Sequence, residues 1–147
     1  MKKIFLTAAF LAAAYFAVAG SGVITPDTAR VLNSTSVSDE TLARAFSERL
    51  SGFQAEGTGI VIKILSDDND GGRHQRFIIR LETGQTLLIA HNIDLAERVE
   101  DLRTGDSVEF SGEYEWNRQG GVIHWTHRDP SGSHLSGWIE HNGQRYW

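Results

Sequence analysis

Six histidines fall between His74 and His141, and several stand in short strings with carboxylates or aromatic rings. These are His91-Asn92-Ile93-Asp94, His124-Trp125-Thr126-His127 followed by Asp129, and His74, which comes just after the acidic run Asp67-Asp68-Asn69-Asp70. Neutral imidazole ligates metals and moves protons near neutral pH, so such strings could build a metal centre or a general base. On that chemistry His91 and His127 are the residues to activate water. Asp67, Asp68, Asp94 and Asp129 are the carboxylates to hold a divalent metal ion, the one cofactor the chain suggests. His74, Arg76, Asn92, Trp116, His124 and Trp125 form the expected ligand-binding set, through stacking and hydrogen bonding.

Spacing constrains these roles. Residues three apart in a strand face opposite sides, so His124 and His127 chelate together only if the chain bends between them, whereas His127 and Asp129 share parity. His91 and Asp94 stand at a strand end and an expected helix start, where free backbone N–H groups favour an anion. The acidic loop 67–71 has the oxygen chemistry of a calcium site, yet Ser66 takes the first ligand position of the helix-loop-helix motif and Phe77 the bidentate one. A solvated acidic turn is the simpler reading of that loop. For any one histidine, a surface or hydrogen-bonded core position is likewise simpler; the set is what argues for a site. No phosphate-cradling Gly loop, serine-nucleophile elbow or HExxH string is present.

Composition narrows the field further. The chain of 147 residues carries 14 Lys+Arg against 19 Asp+Glu, a net charge of −5, which opposes holding nucleic acid by bulk electrostatics. Without cysteine there is no disulfide framework, thiol chemistry or thiolate metal site. Lys2 and Lys3, the apolar run Ile4 to Val18 and the small residues Ala17 and Ala19 read as a secretory signal over 1–19, cut before Gly20. An uncleaved N-terminal anchor is the alternative. With the signal removed, no apolar segment of membrane-spanning length remains, and the expected destination is the periplasm or the medium.

The elements that must position these residues follow from periodicity. Residues 20–37 are a spacer rich in Ser and Thr. Over 38–147 one domain is expected, opening on an amphipathic helix with Ser38 as N-cap, Leu42, Ala45 and Phe46 on its apolar stripe and Gly52 as its stop. A first, largely buried strand runs from Ile60 to Leu65, a second from His74 to Glu82 and a third from Gln85 to Ala90, with Thr83-Gly84 as a two-residue turn between the last two. A helix over 94–103 follows, with Leu95, Val99 and Leu102 on one side. The fourth strand places Val108, Phe110, Gly112, Tyr114 and Trp116 on one face and Glu109, Glu113 and Glu115 on the other. Val122 to His127 is the fifth strand, and a hairpin turning at Asn142-Gly143 pairs Ile139 with Tyr146 and Trp138 with Trp147. Strand, strand, strand, helix, strand, strand is the order of a small five-stranded OB-fold-like barrel, a mainly β class whose strand 2 to 3 face and loops bind ligands.

Several strings resemble a known family: His74-Gln75-Arg76-Phe77, His91-Asn92-Ile93-Asp94-Leu95-Ala96, Gly112-Glu113-Tyr114-Glu115-Trp116-Asn117, and Gly120 to His127 with Asp129-Pro130. They resemble small exported bacterial proteins catalogued only as a domain of unknown function. The resemblance covers about Gly57 to Tyr146 and implies an exported single-domain protein without assigned activity. A second resemblance is to the OB-fold nucleases similar to thermonuclease, where an acidic residue after strand 1 and an Ile-Asp-x-x-Glu string hold calcium. Asp67 or Asp68 and Ile93-Asp94-Leu95-Ala96-Glu97 stand in comparable places. The Asp-Gly-Asp-Thr string is missing, and Ile89 replaces the arginine.

Three functions follow as expectations. The first is an exported binding module for an unknown, anionic or oligomeric ligand. The second is a metal-assisted phosphodiesterase using Asp94 with Asp67 or Asp68, and His91 or His127 as base. The third is a structural or interaction protein of the envelope.

Overall fold

A computed structural model of the chain describes residues 38–147. The signal segment expected over 1–19 and the spacer expected over 20–37 lie outside the described residues. Alternation of buried and more exposed side chains, clearest in β2 and β3, marks the strands β1 (Phe53–Ile64), β2 (His74–Arg80), β3 (Thr86–Asn92) and β4 (Ser107–Glu115). After them come the short β5 (Val122–His124), β6 (Trp138–His141) and β7 (Gln144–Tyr146). The strand order β1-β2-β3-β5-β4 closes on itself through a β1–β4 pairing, with β3–β5 parallel and the rest antiparallel. This is a closed mixed five-stranded barrel, the OB-fold-like architecture the sequence order implied. Its interior is filled by Val61, Phe77, Ile79, Leu87, Ile89, Phe110, Tyr114 and Ile123, all fully buried.

The outer edge of β4 is shared. Its C-terminal half pairs with β5 and its N-terminal half, Val108 to Ser111, with β6, so the β6–β7 hairpin prolongs the barrel wall. That hairpin turns on Asn142 (φ 51°) and Gly143 (φ 77°), the paired positive φ values a two-residue turn between twisted strands requires. Ile139 faces Tyr146 in it as expected.

The one helix among the described residues, α1 (38–48), buries Leu42 and Ala45. It ends before Gly52, because Arg49 takes a left-handed φ of 57° and Leu50 N–H closes back on the Ala45 carbonyl at 2.9 Å. Asp39 in its first turn accepts Glu82 N–H at 2.9 Å, pinning the helix to the β2–β3 turn, and burial raises its pKa. That turn has three residues rather than two: Leu81 N–H meets the Gln85 carbonyl at 2.9 Å, and Gly84 (φ 86°) supplies the left-handed position. β1 also differs from expectation, since Ile60 is 45 % exposed while Val61 is buried. A register shift between Val61 and Lys63 accompanies the exposure.

The helix expected between the third and fourth strands is absent: residues 94–103 are turns and irregular backbone. Side chains from the barrel have taken the groups a helix would use. The buried Gln75 amide accepts Val99 N–H at 2.9 Å and donates to the Val99 carbonyl at 3.0 Å, while the His91 ring holds the Glu97 carbonyl at 2.9 Å. Leu95, the anchor of the predicted apolar side, is 57 % exposed, whereas Val99 is buried. Gln75→Leu is therefore expected to cost roughly 2–4 kcal/mol, because both main-chain groups of Val99 lose their partner away from water. Denaturant unfolding measures it; a loss below about 1 kcal/mol would show that water can replace the clamp.

Candidate functional site

The alternation of β4 turns Glu113 and Glu115 to the outer wall, and the β4–β5 register sets Glu113 opposite His124. One ligand atom from each of Glu113, Glu115 and His124 falls within 4.8 Å of the others, and all three residues are half-buried. Two carboxylates this close repel each other, and a cation between them removes the repulsion. His124 Nε2 lies 3.8 Å from a Glu113 oxygen, is buried, and has no hydrogen-bond partner. Burial lowers the His124 pKa, with the charges of Glu113 and Glu115 opposing that shift, so the ring is held neutral with a lone pair to offer.

Directly after His124 the strand breaks. Trp125 adopts φ 54°, an uncommon backbone state for a bulky residue, costing about 1–2 kcal/mol. The break ends β5 three residues short of the expected His127. It presents the Trp125 ring, 38 % exposed, among three imidazoles: His134 at 3.9 Å and His124 and His127 each at 5.7 Å between ring centroids.

His134 is delivered by a loop built around Asp129. One carboxylate oxygen accepts Ser131 N–H at 2.8 Å and Ser131 Oγ at 2.6 Å; the other accepts Ser133 Oγ at 2.9 Å and His134 N–H at 2.8 Å. These bonds hold its carboxyl well below the usual carboxylate range. Both oxygens are consumed locally, which makes Asp129 the organiser of the loop. His127 and His134 bond through Nδ1 to the carbonyls of Arg128 (2.6 Å) and Leu135 (2.7 Å). A carbonyl only accepts, so Nδ1 carries a proton in each ring, and Nε2 is the nitrogen left to face other partners.

Residues 27–147 match the family described as "Protein of unknown function (DUF3465)". The chain belongs to that family. No curated protein matches it.

In this DUF3465 chain the other residues singled out in the sequence lie elsewhere. His91 is fully buried, with Nε2 bonded to the Glu97 carbonyl at 2.9 Å and Nδ1 to Thr126 Oγ1 at 2.8 Å, so neither nitrogen is open to water or metal. Asp94 accepts Arg73 N–H and Nε at 2.8 and 2.7 Å, bonds that lower its pKa. Asp67 pairs with Arg98, and Asp68 with Arg76 at 3.8 Å. His74 opens β2 opposite Asn92, bonds through Nδ1 to the Gly72 carbonyl at 3.1 Å, and shares the surroundings of Gly72 with Asn92 and Asp94. Trp116 donates Nε1–H to the Phe46 carbonyl at 3.0 Å and lies under Arg49, tying α1 to the barrel.

The structure thus joins His124, Trp125 and His127 with Glu113, Glu115 and His134, three residues the sequence reading did not assign to a site. The signal for the two glutamates was present: Glu113-x-Glu115 alternates on one face of a hairpin whose return strand carries His124. His134 had no such signal, since only the Asp129 loop fixes its place.

Proposed function

We propose that this protein is an exported OB-fold-like binding module that takes a divalent first-row transition-metal ion between Glu113, Glu115 and His124. One observation carries the reading: two carboxylates and an unpartnered imidazole nitrogen within 4.8 Å of one another on the barrel wall. An imidazole in the donor set favours zinc-like ions over calcium or magnesium, which prefer oxygen alone. Three protein ligands leave a coordination position open, and Trp125 is the adjacent wall against which an oxygen-bearing ligand would rest. Export is supported by Lys2, Lys3 and the apolar run that follows them. The hydrolase alternative has less support, since Asp67, Asp68 and Asp94 are each tied to an arginine.

Calorimetric titration of the full chain with Zn²⁺ and with Ca²⁺ tests the proposal. One zinc per chain is expected, weakened about tenfold or more by His124→Gln or by Glu113→Gln, with no comparable calcium uptake. Unchanged zinc affinity in both variants, or equal affinity for the two ions, would remove the reading.

A further inference from the structure

A pocket away from Glu113, Glu115 and His124 opens where the 94–103 segment meets the C-terminal hairpin. It has a volume of about 260 Å³ and is lined by Glu97, Arg128, Arg145, Tyr146 and Trp147. Opposite charges line this one pocket without closing on each other: neither Glu97 nor Arg128 has an ion-pair partner among the described residues. Flexible side chains of opposite charge in reach of one another normally collapse into a pair, so their separation needs a cause.

Both residues are anchored through the main chain, and Arg128 through its side chain as well. Glu97 is fixed at its carbonyl by the buried His91 ring at 2.9 Å. Arg128 is fixed at its carbonyl by His127 Nδ1 at 2.6 Å, and its guanidinium lies over the Trp147 ring, 3.9 Å from the centroid. Stacking of this kind fixes the guanidinium plane and leaves its N–H edges for an acceptor. Arg145, which also lines the pocket, stacks on Trp138 at 4.0 Å and gives Nε and Nη2 to one Glu140 oxygen, so its charge is already paired. A pocket lined by a carboxylate residue, a guanidinium residue without an ion-pair partner and the aromatic residues Tyr146 and Trp147 matches a ligand carrying both charges.

We infer that this pocket binds a small zwitterion of the α-amino acid class, its ammonium on Glu97, its carboxylate on Arg128, and its side chain against Tyr146 and Trp147. A carboxylate is the ligand for which a fixed guanidinium fork is suited, and an ammonium satisfies the carboxylate that would otherwise repel it. The site shares no residue with the proposed metal centre and stands or falls separately from it.

The test uses three probes of one shape on the full chain with chelator present: L-leucine, 4-methylpentanoate, which lacks the ammonium, and 3-methylbutylamine, which lacks the carboxylate. Tryptophan fluorescence and calorimetry should report one saturable site for leucine and affinities about tenfold or more lower for each half-ligand. Arg128→Gln and Glu97→Gln should each reduce leucine affinity by a similar factor, with thermal unfolding run beside them to show that the variants fold. Equal binding of leucine and 4-methylpentanoate would overturn the zwitterion assignment. So would the absence of saturable leucine binding up to about 10 mM, a result that depends on no variant.

Discussion

Gly137→Ala is expected to abolish the native fold, at a cost of about 4 kcal/mol or more. The backbone of Gly137 is ordinary, so the effect is steric rather than conformational. A Cβ there would collide with the carbonyl oxygens of Trp125 and Ser111 and approach Thr126 Cα at 3.0 Å. All three are main-chain atoms, which cannot rotate away. At this point the chain returns from the Trp125 loop, with Gly137 N–H on the His127 carbonyl at 2.9 Å, and begins the pairing of β6 with β4 at Ser111 and Trp138. The control is Gly143→Ala, where nothing lies within 4 Å and only the positive φ of 77° opposes the methyl group, for a loss of about 1 kcal/mol. Circular dichroism and urea unfolding of the two variants separate these cases. A Gly137→Ala protein with a wild-type midpoint would mean that the crossing of β4 by the returning chain can relax.

His91→Ala is expected to cost roughly 3–5 kcal/mol, although the residue was read from sequence as a catalytic base. The substitution empties a buried site and leaves the Glu97 carbonyl and Thr126 hydroxyl without their partner. The same burial sets a pH dependence. Desolvation lowers the His91 pKa below its ordinary 6.5, with smaller opposing contributions from its hydrogen bonds. The unfolded chain therefore takes up the proton first as pH falls. Stability that is complete above about pH 6.5 is lost as the pH drops through 6.5 towards the folded value. The pKa of His124 is lowered as well and contributes with the same sign. Unfolding free energies from about pH 8 down to about pH 5, in a His124→Gln background, isolate the His91 part. A flat profile there would contradict a neutral, buried His91.

The strands, their order and the inner face of the barrel were legible in the chain because each rests on local alternation: Phe77 and Ile79, Leu87 and Ile89, Val108, Phe110 and Tyr114 all point where period-two spacing sends them. Asn142-Gly143 announced its hairpin because few residues besides Asn and Gly tolerate two successive positive φ values. Wherever a distant side chain outbids local preference, the sequence misleads. The 94–103 segment has helical spacing, but Gln75 and His91, brought up by β2 and β3, claim its main-chain groups before a helix can use them. The chemistry-bearing residues divide in the same way. Histidines and acids could be named from their types, yet only packing decides which are spent: His91 on two buried bonds, Asp129 on its loop, and Asp94 on Arg73. Glu113, Glu115 and His124 are brought together by the β4–β5 register, with Trp125 turned outward beside them by a backbone state that spacing alone does not encode. Which strands form, and which faces of β2, β3 and β4 are apolar, could be read along the chain, since those depend on near neighbours. Which polar groups are left free was decided by tertiary structure, because a hydrogen bond made across the barrel is invisible until the barrel closes.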